Sequence, residues 1–261
     1  MYKSLVRFVR DIYQTNDFIP LHAPLFNGDE KKYLSQTIDS TFVSSVGNLV
    51  NEFEKSIMTF TNSAYAIAFI NGTSALHLAL KIAGVKENTE VLTQSLTFVG
   101  TCNAIRYCGS EPIFIDVDKN TLGLSPSSLI AFIDENCELR NDGFCWNKKT
   151  NKKIIACVPM HTFGFPADCL KIKKICSQFN IQLIEDAAES LGSTYHNKHT
   201  GTFGEMGILS FNGNKIITTG SGGMILTNNN EIAHKAKHLS STAKLNHPWE
   251  FNHDEVGYNY R

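Results

Sequence analysis

The residues with the clearest chemical potential are a lysine and an aspartate in separate parts of the chain. Lys215 lies in a bend rich in Ser, Asn and Gly, between Ser210 and the glycine-rich run 219–223. Asp186 ends the mainly apolar run 181–185. A lysine amine can form a Schiff base with an aldehyde cofactor, and a carboxylate can pair with a pyridine nitrogen and keep the ring protonated. Together the two residues predict a site for pyridoxal 5'-phosphate (PLP), although each alone could be a surface lysine or a capping aspartate.

A second group of residues is suited to the phosphate of such a cofactor. The motif Asn71-Gly72-Thr73-Ser74 follows a β-rich run and opens a helix. Free backbone N–H groups and hydroxyls at a helix start favour an anion. The motif would serve equally well as an ordinary helix cap. Ser210 could add a further hydrogen bond to the phosphate.

Three other positions belong to the same predicted site. Phe98 begins a helix along the same sheet edge and could stack on the cofactor ring, although a core phenylalanine is an alternative. The small pair Ala187-Ala188 would let a flat ring lie close to the backbone. His161 ends a strand run at the edge that carries Asp186. It is either a contact to substrate or cofactor, or a loop histidine whose partners are all within the protein.

The elements that must position these residues alternate along the chain from about Ala64 onward. Short β-rich runs followed by longer helical patterns predict an α/β fold with a mainly parallel sheet flanked by helices. Ligands of such sheets bind beyond the carboxyl ends of the strands. The polar stretch Glu138–Lys153 predicts a surface excursion with the character of a small hairpin. The predicted strands cover 64–70, 90–93, 112–116, 153–158, 182–185, 206–210 and 223–227, and the predicted helices cover 73–84, 97–108, 127–136, 168–179 and 230–240.

The bulk properties restrict the class of protein. The 261 residues are 42% hydrophobic, enough for one substantial core, and the formal net charge of -1 gives no reason to expect a nucleic-acid or membrane partner. Seven cysteines without a C-x-x-C pair argue against a disulfide framework or structural zinc, and favour a reducing cytoplasm. The nine histidines show no zinc-protease order, and no G-x-G-x-x-G follows an early strand, so we expect neither a metal nor a nicotinamide cofactor. No apolar run approaches membrane-spanning length, and the N-terminus lacks the apolar core of a signal peptide.

Taken together, these motifs resemble the DegT/DnrJ/EryC1/StrS family of PLP-dependent nucleotide-sugar aminotransferases. The resemblance implies the PLP fold-type I, aspartate aminotransferase-like large domain. It extends over nearly all of the chain from Ile19 to Arg261, and its markers are specific in combination. The markers are the segments 71–76, 97–98, 112–118, 185–189, 210–211, 219–223 and 257–261, together with Lys215.

The resemblance implies a role for each matching residue at the cofactor. Lys215 would form the Schiff base, Asp186 would pair with the pyridine nitrogen, and Glu189 would lie near the cofactor 3'-hydroxyl. The implied reaction is a transamination in which an amino-acid donor, glutamate in this family, supplies the amino group to a nucleotide sugar.

The implied phosphate site involves two subunits. Ser210, Gly72 and Thr73 would hold the phosphate of the chain's own cofactor, while Phe98 stacks on its ring. Asn259 would reach the phosphate of the neighbouring subunit's cofactor. The resemblance therefore implies a homodimer with shared active sites.

Three segments, 42–47, 159–164 and 211–220, are similar to one subgroup of the family. That subgroup aminates the C4 keto group of UDP-linked 4-keto-6-deoxy-N-acetylhexosamines on the way to legionaminic acid and related cell-surface nonulosonic acids. The resemblance predicts the same substrate class here.

The chain departs from the family in its length. We expect an N-terminal arm at 1–30, a PLP-binding large domain at 31–245, and at 246–261 the start of a connection to a small C-terminal domain that is missing from this chain. Weak or no turnover is expected without that domain, so the alternative is a truncated, non-catalytic cofactor-binding fragment or pseudoenzyme. A sugar dehydratase of the same family is disfavoured, because those relatives carry histidine in place of the Schiff-base lysine.

Overall fold

A nine-stranded sheet organises the chain in the computed structural model, which describes residues 2–261. Each predicted strand and helix is present, with ends displaced by one or two residues at most. The helices are α1 (Lys3–Tyr13), α2 (Glu30–Asp39), α3 (Asn48–Thr61), α4 (Gly72–Ile82), α5 (Val99–Tyr107), α6 (Pro126–Asn136), α7 (Cys169–Gln178) and α8 (Asn230–Ser240). The strands are β1 (Tyr65–Phe69), β2 (Thr89–Gln94), β3 (Glu111–Ile115), β4 (Cys137–Leu139), β5 (Cys145–Asn147), β6 (Lys152–Val158), β7 (Gln182–Asp186), β8 (Thr194–Tyr195), β9 (Lys198–His199), β10 (Met206–Ser210) and β11 (Gly223–Thr227).

The main path through the sheet runs in the order β1-β11-β10-β7-β6-β2-β3. The pairs from β10 to β3 are parallel, whereas β11 is antiparallel to both of its neighbours. The predicted α/β fold with a mainly parallel sheet is therefore confirmed. The surface excursion predicted before β6 is a hairpin formed by β4 and β5. Its second strand, β5, pairs with the first residues of β6.

Both faces of the sheet are buried, which explains the nearly continuous apolar strands. Successive residues of a strand point to opposite faces, and they enter different core clusters here. Val91 and Ile184 pack in the cluster with α4, α5 and α8, while their neighbours Leu92 and Leu183 pack in the cluster with α6 and α7. Helices thus cover the sheet on both sides, and they leave its strand ends available for a site.

Side-chain caps set the starts of the helices that matter for the site. The Asn71 side chain accepts a hydrogen bond from the backbone N–H of Ser74 (2.8 Å) and begins α4 directly after β1. Ser125 caps α6 in the same way, and Pro126 occupies the first turn, where it lacks only an N–H that would be unpaired anyway.

The N-terminal segment contributes little to this core. Helix α1 buries none of its residues. None of the helices in residues 2–261 is long and apolar enough to cross a membrane. The domain boundaries near residues 30 and 245 stay predictions.

Candidate active site

A cavity of about 350 Å³ lies where the carboxyl ends of β7 and β10 meet the starts of α4 and α5. This is the position that an open α/β sheet favours for a ligand. Eight of the residues predicted from the sequence line it: Gly72, Thr73, Phe98, Asp186, Ala188, Glu189, Ser210 and Lys215. Residues from distant parts of the chain therefore converge on one site of ligand size.

Asp186 provides the buried carboxylate of this cavity. Its Oδ2 accepts a hydrogen bond from Thr101 Oγ1 (2.7 Å), and its Oδ1 accepts one from the Ala188 backbone N–H (3.2 Å). Burial raises the pKa of the Asp186 carboxyl, whereas these two donors and the charge of Lys215 act in the opposite direction. A cation bound beside it, such as a protonated pyridine nitrogen, would lower this pKa and keep the carboxylate ionised.

Lys215 projects into the same cavity, and its side chain is only 12% exposed. Its Nζ lies 3.5 Å from Glu189 Oε1 and 5.7 Å from the centroid of the Phe98 ring. The bend that carries Lys215 is closed by the backbone N–H of this lysine, which donates to Asn212 O (3.0 Å). A primary amine, a carboxylate and an aromatic face are thus held together at one end of the cavity.

The start of α4 forms the other end of the cavity. The Asn71 side chain takes up the backbone N–H of Ser74. The backbone N–H groups that remain for a ligand at this helix start are therefore those of Gly72 and Thr73, which line the cavity. A Cβ at position 72 would lie 3.1 Å from Ser210 Cβ, so the glycine allows close approach of the two segments. Ser74 itself does not line the cavity, in contrast to its predicted place in the phosphate site.

These features fit PLP. An anion such as its phosphate is suited to the helix start with Ser210 beside it. A buried carboxylate and a lysine amine are available to its ring and aldehyde, and the Phe98 ring lies near the lysine. The residues that could hold the cofactor are therefore Gly72, Thr73, Phe98, Asp186, Ala188, Glu189, Ser210 and Lys215.

His161 is not in the cavity, and its predicted contact to substrate or cofactor is not found. The side chain is fully buried, and its Nδ1 accepts a hydrogen bond from the Ala167 backbone N–H (3.1 Å). The proton must then lie on Nε2, which donates to Glu185 Oε2 (3.1 Å). Both ring nitrogens are satisfied within the protein, which is the alternative that the sequence had left open.

Glu185 points away from Asp186 into a shell of donors. Its carboxylate accepts the backbone N–H groups of Gly201, Phe203 and Gly204 at 2.6–2.8 Å, in addition to His161. Burial alone would raise the pKa of Glu185, but these hydrogen bonds outweigh it and the pKa lies below its usual value. Sequence analysis assigned Glu185 no role, because nothing in its pattern shows which of two adjacent acids faces the core.

Glu185 also belongs to a cluster of potential metal ligands. The side chains of His161, Cys169 and Glu185 offer ligand atoms within 4.8 Å of one another. A metal would have to replace hydrogen bonds that already satisfy the carboxylate, and burial with the neighbouring Glu185 charge raises the pKa of the Cys169 thiol. The cluster is therefore explained as a buried polar network.

Asn259 lies outside the cavity of its own chain. It is exposed, has a left-handed backbone (φ 53°) and donates its N–H to Ser241 O (2.8 Å). Its neighbours are fixed: Tyr260 Oη lies 3.0 Å from His77 Nδ1, and Arg261 pairs with Glu54 at 3.0 Å. Its contact with a neighbouring subunit stays a prediction.

The cavity also contains residues that sequence reasoning missed. Thr101 is the most important, because it donates directly to Asp186 although 85 positions separate them. Its only sequence signal is its place in the first turn of a helix at the same sheet edge. The others are Leu76, Gly100, Ile208, Asn212, Asn214 and Ser221.

The fold and the cavity have the features expected of the cofactor-binding domain of PLP-dependent aminotransferases. Consistent with this, residues 25–261 match the DegT/DnrJ/EryC1/StrS aminotransferase family, and the chain belongs to that family. The family is PLP-dependent, and its members include sugar aminotransferases of nucleotide-sugar biosynthesis.

Individual relatives support the same assignment. The chain is 39% identical over 245 residues to the GDP-perosamine synthase of Escherichia coli O157:H7, covering 94% of this chain and 62% of that protein. It is 38% identical to the putative pyridoxal phosphate-dependent aminotransferase EpsN of Bacillus subtilis (strain 168), covering 93% and 60%. Among solved structures, Helicobacter pylori PseC, an aminotransferase involved in the biosynthesis of pseudoaminic acid, matches with a TM-score of 0.80 and 25% identity, covering 94% and 62%. The chain thus spans about three fifths of the length of these relatives.

Proposed function

We propose that this chain is the cofactor-binding part of a PLP-dependent nucleotide-sugar aminotransferase. The observation that carries the proposal is the convergence of Lys215, Asp186 and the free helix start at Gly72 on one cavity. A lysine and a buried carboxylate that line one cavity with an aromatic side chain are the groups that PLP requires from a protein. The family membership is consistent with this reaction class.

In the proposed reaction, each polar group has a distinct task. When bound, PLP supplies an aldehyde that condenses with amines and a ring that withdraws electrons from the substrate carbon. Asp186 holds the ring nitrogen in its protonated form. Lys215 Nζ would anchor the cofactor, and as a free amine it would carry a proton between the reacting carbons. Glu189 Oε1, 3.5 Å from that amine, orients it and stabilises its positive charge.

We propose a UDP-linked 4-keto-6-deoxy-N-acetylhexosamine as the acceptor, aminated at C4 for nonulosonic acid biosynthesis, with glutamate as the donor. The similarity of segments 42–47, 159–164 and 211–220 to the legionaminic acid subgroup supports this choice. A GDP-linked keto sugar is the second candidate, because a 39% identical relative is a GDP-perosamine synthase. A homodimer in the cytoplasm, with Asn259 reaching the partner's cofactor, completes the proposal.

The first test is the attachment of the cofactor. The purified chain is mixed with PLP, its visible absorbance is recorded before and after borohydride, and the labelled peptide is identified by mass spectrometry. We expect a band that borohydride fixes to Lys215 and that Lys215→Ala lacks. Lys174→Ala, on the exposed face of α7, serves as the matched control and should keep the band.

Each other result has a defined meaning. Equal labelling of Lys215→Ala and wild type would exclude Lys215 as the attachment point. A wild-type chain that is folded by circular dichroism but binds no PLP would contradict the proposal that this chain holds the cofactor. If the band forms, turnover of UDP- and GDP-linked keto sugars with glutamate and with other amino acids distinguishes the substrates and the donor.

A further inference from the structure

Phe163 has an unusual backbone conformation next to the cavity. It lies in a short 3-10 turn (Thr162–Gly164) with φ 53° and ψ 25°, in the left-handed region. Bulky side chains rarely adopt this region, because the Cβ approaches the following carbonyl oxygen. Its ring is 72% exposed, so burial of the side chain does not offset this cost. Such outliers persist where the surroundings enforce them, and they cluster at functional sites.

The surroundings do enforce this conformation. The Phe163 backbone N–H donates to Glu189 Oε2 (2.9 Å). On one side, the buried Thr162 accepts a hydrogen bond from Gln94 Nε2 (2.8 Å). On the other side, the carbonyl of Gly164 accepts one from Ser193 Oγ (2.7 Å). The backbone is thus held at Phe163 and Gly164, and the side chain of Thr162 is anchored beside them, while the aromatic ring of Phe163 is left in solvent.

The carboxylate that holds Phe163 is also the one beside the reactive amine. Glu189 lines the cavity, and its second oxygen lies 3.5 Å from Lys215 Nζ. A single side chain therefore connects the lysine with the segment that presents the exposed ring. An acceptor whose carbon reacts near Lys215 Nζ would bring its own ring close to Glu189, whose other oxygen holds the Phe163 backbone.

We infer that Phe163 is a specificity-determining residue whose ring supports the apolar face of the acceptor sugar, and that Glu189 is its positioning residue. The inference rests on the proposed function. An exposed aromatic face provides shape and a negative quadrupole for the C–H groups of a pyranose. The sugar is the part concerned, and not the nucleobase, because the diphosphate separates the base from the reacting carbon.

The test compares binding of the sugar with binding of the nucleotide alone. The PLP-loaded full chain, without amino donor, is titrated calorimetrically with the UDP-linked 4-keto sugar and with UDP. We expect Phe163→Ala to weaken sugar binding about 10-fold relative to UDP, equivalent to ~1.4 kcal/mol, and Phe163→Tyr to restore it. Phe165→Ala is the matched control, because Phe165 is similarly exposed (62%) and lies outside the left-handed position.

Glu189 is tested by two substitutions. Glu189→Ala removes the acceptor for the Phe163 N–H and should weaken sugar binding as Phe163→Ala does. Glu189→Gln keeps an acceptor oxygen and should keep most of the sugar affinity, although it removes the charge beside Lys215. If Glu189→Gln and Glu189→Ala weaken sugar binding equally, the positioning role is wrong.

The remaining outcomes separate this inference from the proposed function. Conversion of the cofactor by glutamate involves no sugar, so its spectral change reports the first half-reaction alone. If the wild-type chain undergoes this change but Phe163→Ala binds the sugar normally, only the inference is contradicted. The same holds if Phe163→Ala weakens the binding of UDP as much as the binding of the UDP-linked sugar. A wild-type chain that accepts no amino group from any amino acid contradicts the proposed function and, with it, the inference.

Discussion

Replacing Glu185 with Gln tests whether the buried charge of this carboxylate stabilises the segment 201–204 that packs around it. The carboxylate has two oxygens and receives five donors from its surroundings, of which the Cys169 thiol (3.6 Å) is the weakest. Glutamine keeps one oxygen, which can remain with the N–H groups of Phe203 and Gly204. Its amide NH₂ would then face the N–H of Gly201 and Nε2–H of His161, so donor meets donor. A tautomer change at His161 only moves the conflict to its other nitrogen, which faces the Ala167 N–H.

The size of the effect follows from these contacts. Two hydrogen bonds to a charged group are lost, each worth about 1.5–3 kcal/mol, and two buried donors are left unpaired. Removing one partner from a buried charged network costs about 3–5 kcal/mol. We therefore expect Glu185→Gln to lower the free energy of unfolding by about 4 kcal/mol, a large part of the ~5–15 kcal/mol typical of a folded domain.

Urea denaturation of the cofactor-free chain, followed by circular dichroism, measures this difference. Glu90→Gln is the matched control, since Glu90 is equally buried and accepts from the Asn147 side chain; we expect it to change stability by under about 1 kcal/mol. The lowered pKa of Glu185 adds a pH signature. The stabilisation by the ionised carboxylate is present above the ordinary pKa of 4.5 and is lost as the pH falls through the lower pKa of the folded state. The difference in the free energy of unfolding between wild type and Glu185→Gln should therefore decrease in acid. A gap under about 1 kcal/mol at neutral pH would refute the reasoning.

Two further predictions concern the cofactor. Thr101→Val removes a donor that lowers the pKa of Asp186, so PLP should bind about 5- to 10-fold more weakly. The acid limb of the pH profile of PLP binding should also move to higher pH, and a limb that does not move would contradict this reasoning. Thr101→Ser keeps the hydroxyl donor and should behave as wild type. Gly72→Ala places a Cβ 3.1 Å from Ser210 Cβ and should weaken PLP binding, measured by fluorescence titration, about 10-fold, or ~1.4 kcal/mol. Ser74→Ala should leave PLP binding unchanged. Equal PLP affinities of the two variants would rule out the helix start as the phosphate site.

The sequence was sufficient to predict the elements because local signals agree with the fold. Apolar runs such as Ile181–Glu185 match strands buried on both faces, and the cap at Asn71 marks where α4 begins. The lysine and the aspartate were found for a similar reason. A bend without bulky side chains and an acid at a strand end are both visible in a short window of residues.

The contacts that tune the site were not predictable in this way. The Thr101–Asp186 bond depends on where the first turn of α5 lies relative to the end of β7, and the left-handed Phe163 depends on a carboxylate from another loop. His161 shows the opposite failure, because a histidine near the sheet edge gives no sign of whether its ring points to the cavity or to the core.

The adjacent acids of β7 show most directly how the fold determines chemistry. Glu185 and Asp186 have similar side chains, yet successive strand residues face opposite sides of the sheet. Glu185 meets five donors, so its pKa is lowered and its charge holds the loop that follows β9 in place. Asp186 meets only two donors, which do not outweigh its burial, so its pKa is raised. The second carboxylate can therefore gain the most from a cation in the cavity. A shift of register by one residue would exchange the two environments, so that the side chain of Glu185 would face the cavity and Asp186 would face the shell of donors.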